Sequence, residues 1–142
     1  ELTESSAMEN QATSLALLTR LRMKGYELSI DDFGTGYSSM VQLARLPFSE
    51  MKIDKSFVMT ALASEDSRTI IKSIIDLGHG LNLSITAEGV EDLATLKLLR
   101  TMGCHLAQGY FIARPLNEEV VPDWLKDWSL RKRVLFEALT SV

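Results

Sequence analysis

The sequence lacks the marks of several common protein classes. It has one cysteine, Cys104, so no disulfide can form within the chain and a stapled secreted scaffold is excluded. That count fits a cytoplasmic setting, with a membrane-anchored parent left open. Positive charge is also short: 15 Lys and Arg stand against 19 Asp and Glu, for a net charge of −4. A duplex nucleic-acid binder would show a basic patch, so no nucleic-acid polymer is expected as a partner. No apolar run approaches the roughly 18–20 residues that span a bilayer, no signal peptide precedes the fold, and no membrane contact is expected from this segment. There is no low-complexity linker and no close internal repeat. What the 142 residues do have is an apolar fraction of 46%, which suits one compact domain. The text opens on Glu1 in mid-motif, which suggests a piece of a longer chain.

Strand-like and helix-like runs alternate. "ELTE" (1–4) reads as a strand end. A helix is expected from about Ala7 to Lys24, with a capping box at Ser6 and Glu9 and a stop at Gly25. "YELSID" (26–31) alternates as a strand, and a helix from Ser38 to Arg45 must end before Pro47. The same alternation continues through a strand at 50–57, a helix at 65–77 stopped by Gly78, a strand at 81–89, a helix at 91–102 and a strand at 105–112. The tail after Pro115 reads as helix in two pieces, broken near Pro122 and Trp128.

Such alternation predicts an α/β fold with a parallel sheet and right-handed crossovers. Central strands of a doubly wound sheet would be apolar on both faces. Here one face of each strand is polar, which fits a barrel whose inner face opens to a site. Five strands cannot close a (β/α)8 barrel, so the expected architecture is its C-terminal five βα units.

In such a barrel the C-terminal strand ends share one mouth. Those ends carry Glu1, Asp31, Asp32, Lys52, Glu88 and Gln108. Gathered carboxylates need cations or must take up protons. Oxygen ligands without His or Cys clusters favour Mg²⁺, Mn²⁺ or Ca²⁺ over zinc. Adjacent aspartates suit a pair of ions, one carboxylate bridging and its neighbour binding one ion, as in phosphodiester cleavage. Lys52 beside them would stabilise negative charge. Each residue alone has a plainer reading: "DD" before glycine as a turn, Lys52 as a surface lysine, Glu88 or Glu91 as the opening of a helix, Gln108 as a strand-end amide. The specificity lies in the set, one member per strand end.

The blocks "ELTES", "DDFGTGYSS", "LPFSEMKIDKSFV", "TAEGVE" and "QGYFIARPL" resemble, in order, the signature blocks of the EAL domain, a bacterial phosphodiesterase that hydrolyses cyclic di-GMP to linear pGpG. The resemblance covers residues 1–128, read as the C-terminal part of the domain, with 129–142 as a helical extension. It implies a water activated by two metal ions, Mg²⁺ or Mn²⁺, with Ca²⁺ inhibitory. It implies metal ligands at Glu1, Asp31, Asp32 and Glu88, and catalytic roles for Lys52 and Glu88. Gln108 would belong to the substrate and water network. Phe33, Gly34, Thr35, Gly36, Tyr37, Ser38 and Ser39 would form a mobile loop coupled to homodimer formation, anchored by Glu4, with Glu91 behind the site. The family's Glu-Ala-Leu motif, its metal-binding Asn and its substrate-binding Arg would lie upstream of Glu1. Residues 1–142 alone are therefore expected to be inactive and to need the missing half of the barrel. The alternative is a non-catalytic module that binds cyclic di-GMP or a protein partner.

Overall fold

The computed structural model describes residues 1–3, 11–35 and 40–140. They form β1 (Leu2–Thr3), α1 (Gln11–Met23), β2 (Ser29–Phe33), α2 (Met40–Leu43), β3 (Glu50–Ile53), α3 (Lys55–Thr60), α4 (Glu65–Gly80), β4 (Ser84–Ala87), α5 (Leu93–Thr101) and β5 (Leu106–Ala107). A 3-10 turn (Glu118–Val120) and α6 (Val121–Thr140) follow. The chain divides into two compact units, 1–112 and 113–142.

In the first unit all five strands pair in parallel, in chain order. The sheet is open among the described residues, with β1 and β5 as its edges. The expected α/β arrangement is therefore present. Ile30, Met51 and Ile85 stand in register across β2, β3 and β4, and each is 0% exposed. They form one face of the sheet, as period-two alternation requires. Ile71, Ile74 and Ile75 of α4 recur at helical spacing, are buried, and join the same core. The alternate face holds Ser29, Lys52 and Thr86, which are also buried.

Several boundaries differ from expectation, each for a local reason. The strand expected over 50–57 stops at Ile53, because the Asp54 carboxylate accepts from the Ser56 N–H at 2.9 Å and starts α3. Gly78 does not end α4, which runs on to Gly80. It sits where a Cβ would come within 1.9 Å of Ile85 Cδ1, so its role is close helix–strand approach. α5 begins at Leu93 rather than Glu91, capped by Asp92, whose carboxylate accepts from the Thr95 N–H at 2.7 Å. The strands of 81–89 and 105–112 are shorter than read, at Ser84–Ala87 and Leu106–Ala107, and the helix of 38–45 is described only over Met40–Leu43. The capping box at Ser6 and Glu9 lies outside the described residues.

In the second unit α6 is one continuous helix, where two pieces were expected. Pro122 falls in its first turn, where no intrahelical N–H is needed. Trp124 and Trp128 stack one turn apart at 5.5 Å, with the Arg131 guanidinium 5.7 Å from the Trp128 ring. Among the described residues no helix is long and apolar enough to cross a membrane.

Candidate active site

The residue before β1, two residues within β2 and the residue after β4 bring the predicted acids around one lysine of β3. Lys52 lies within β3 between Met51 and Ile53, both fully buried, so the strand itself is firmly held. Its side chain is 6% exposed, and its ammonium reaches three carboxylates: Glu1 Oε1 at 3.1 Å, Asp31 Oδ1 at 3.4 Å and Glu88 Oε1 at 2.5 Å. Burial opposes the charge on Lys52. Hydrogen bonds to Glu88 and Glu1 and the charges of Glu88 and Asp31 outweigh it and push the lysine pKa upward. Lys52 is thus a fixed cation rather than a proton acceptor.

The two aspartates owe their placement to an irregularity in β2. The β2–β3 register shifts between Ile30 and Phe33, and Asp32 adopts a left-handed backbone with φ +54°. Asp31 stays beside Lys52, and its Oδ1 accepts from the Asp32 N–H at 3.1 Å. The Asp32 carbonyl accepts from the Thr35 N–H at 3.4 Å and the Thr35 hydroxyl at 2.9 Å, which closes the chain into a turn. Gly34 within that turn has φ +102°, and a Cβ there would meet Ile74 Cδ1 at 2.9 Å. Both conditions demand glycine. Phe33 is buried beneath. Glu4, Gly36, Tyr37, Ser38 and Ser39 lie outside the described residues.

Asp31, Asp32 and Glu88 each offer an oxygen within 4.8 Å of the other two, a spacing that one divalent ion can span. Loss of hydration, then the charges of Asp31 and Asp54, raise the Asp32 carboxyl above the usual range, with Lys52 working against them. Asp54 was missed in the sequence. Desolvation works against its charge, but the bonds from Ser56 dominate, and its pKa is lowered. Its D-x-S spacing ahead of a helix was the available signal.

Gln108 joins through the backbone. Its N–H donates to the Ala87 carbonyl at 2.8 Å and its carbonyl accepts from Val90 at 3.1 Å, which ties the end of β5 to the Glu88 turn. Gln108, Glu88 and Glu91 line a cleft of about 490 Å³, together with Lys55, Met59 and Tyr110. A second cleft of about 460 Å³ opens at the opposite strand ends beside His79, Ser84 and His105, and no carboxylate lines it.

The EAL domain family model matches residues 1–115. The chain belongs to the EAL domain family. The bifunctional diguanylate cyclase/cyclic di-GMP phosphodiesterase MucR of Pseudomonas aeruginosa is 46% identical over 119 residues, 84% of this EAL chain and 17% of MucR. The solved MucR phosphodiesterase–c-di-GMP complex matches with a TM-score of 0.80 at 46% identity, over 83% of this chain and 48% of that one. BlrP1 of Klebsiella pneumoniae, solved with c-di-GMP and manganese or calcium, matches at a TM-score of 0.73 and 33% identity, over 80% of this chain and 29% of its own. This EAL chain thus spans about a sixth of MucR and about half of its solved phosphodiesterase domain.

Proposed function

We propose that the EAL domain containing this chain hydrolyses cyclic di-GMP to linear pGpG with divalent metal ions, magnesium or manganese for turnover and calcium as inhibitor. The observation that carries this reading is the convergence of Glu1, Asp31 and Glu88 on Lys52, with Asp32 alongside. The donor set fits such ions: among the described residues every candidate ligand is a carboxylate oxygen, and no thiolate or imidazole joins. The MucR and BlrP1 complexes with c-di-GMP support the choice of substrate.

In this reading Glu1, Asp31, Asp32 and Glu88 would hold the ions. The chemistry such a pair of ions supplies is activation of a water and neutralisation of charge on the phosphoryl group. Lys52, held protonated by its neighbours, stabilises negative charge on the phosphoryl oxygens as the ester bond to phosphorus breaks. Glu88 either serves as a metal ligand or takes the proton of the attacking water, and Gln108 and Glu91 border the cleft offered to the rest of the substrate. Phe33, Gly34 and Thr35 form the turn that follows the aspartates.

The test is incubation of the full-length protein with cyclic di-GMP and Mg²⁺ or Mn²⁺, with product followed by chromatography. Linear pGpG should form and should disappear with EDTA. Tight nucleotide binding without turnover would favour the non-catalytic module instead.

A further inference from the structure

The Lys52 ammonium stands where the carboxylates converge, 2.5 Å from Glu88 and 3.4 Å from Asp31. These same two residues, with Asp32, make up the trio whose oxygens approach within 4.8 Å. A tethered cation and a divalent ion must therefore divide the same carboxylates. Asp31 Oδ1 is engaged twice, by Lys52 and by the Asp32 N–H at 3.1 Å. Of the three partners Glu88 makes the shortest contact, and it lies just past the last residue of β4, beside the cleft.

Building on the metal-site reading above, we propose that Lys52 is a built-in competitor for the divalent ion. It holds Glu88, and with it Asp31, until a metal ion draws Glu88 away, and so sets how tightly the site loads. The lysine cannot simply swing out, because its side chain is 6% exposed and its strand neighbours are wholly buried. An ammonium a few ångströms from a divalent ion opposes binding by about tenfold or more, even at the dielectric constant of bulk water. Affinity and turnover should then respond to Lys52 in opposite directions. A lysine that merely braced the acids would weaken both when removed.

The experiment is calorimetric titration of the metal-free full-length protein with Mn²⁺, without substrate. Lys52→Met should bind Mn²⁺ about tenfold more tightly than the parent, while Lys52→Arg, which keeps the charge, should stay within about threefold. Unchanged or weaker binding by Lys52→Met overturns the proposal, as does absence of binding in all three proteins. If Lys52→Met does not fold, crystals of the unaltered protein grown with and without Mn²⁺ decide. With the ion on Glu88, the Nζ–Glu88 contact should open beyond about 4 Å, the limit of an ion pair. A retained short contact overturns the proposal. Neither experiment reads turnover, so a protein that binds Mn²⁺ this way yet hydrolyses nothing would contradict the proposed activity alone.

Discussion

Asp32 combines a left-handed backbone, φ +54°, with a carboxyl whose pKa is raised by lost hydration and by Asp31 and Asp54. A carboxyl raised on folding is harder to ionise in the folded chain than in the unfolded one. Above its unfolded pKa Asp32 therefore subtracts stability. Asn tolerates this backbone well and carries no charge. Asp32→Asn should thus raise the urea midpoint of the metal-free protein at pH 7, and the gain should fade as pH falls to about 4. It should also abolish metal-dependent stabilisation, seen as loss of the Mn²⁺-induced rise in Tm. Lys52 has the opposite sign. Its pKa is raised by its acidic neighbours, so its contribution is complete below the unfolded value of about 10.4 and is lost as pH climbs through the raised folded value. The stability gap between the parent and Lys52→Met in urea should stay constant from pH 7 to about 9 and shrink only above about 10.4.

At the scale of elements, a close contact joins α4 to β4 through Gly78 and Ile85. Alanine is worth about 1 kcal/mol over glycine within a helix, which taken alone would favour Gly78→Ala. Its Cβ, however, would lie 1.9 Å from Ile85 Cδ1 and 3.0 Å from Cγ1, and overpacking a filled core costs about 1–3 kcal/mol. Gly78→Ala should therefore be net destabilising, by about 1 kcal/mol in urea unfolding. Adding Ile85→Val, which deletes Cδ1, should recover most of that loss. Asp54→Ala should cost about 1 kcal/mol through the cap of α3. Gly78 also shows the limit of reading by punctuation. As letters it signals a helix stop, and only the facing Ile85 makes it an interior contact. The run 50–57 was similarly readable as strand, because nothing in its alternation shows that Asp54 turns inward to cap a helix. The strand–helix order and the set of acids were legible, since period-two and period-3.6 patterns and motif spacing are local. The shift in β2 that sets Asp32 apart from Asp31, and the direct pairing of Lys52 with three of the gathered acids, were not, because they depend on how β1 to β4 align.

At the scale of the molecule, the described residues form an open parallel sheet, and the solved MucR chain that this one matches is about twice as long as the matched part. Parallel sheets of this kind need both faces and both edges covered, yet β1 and β5 have one neighbour each among the described residues. Leu106 on β5 is 53% exposed although it stands in register with buried Thr86. Residues 1–142 produced alone should accordingly release no measurable pGpG, and light scattering should find them self-associated; a monomer of full activity would contradict this. The most direct test of the account is made on the full-length protein, with cyclic di-GMP and Mn²⁺, comparing the parent with Asp31→Asn. Asp31 is both a candidate metal ligand and a partner of Lys52, so its loss should lower pGpG release by at least about 100-fold, in the range seen when a principal charge-stabilising group is removed. Release of pGpG by Asp31→Asn at the parent rate would contradict it.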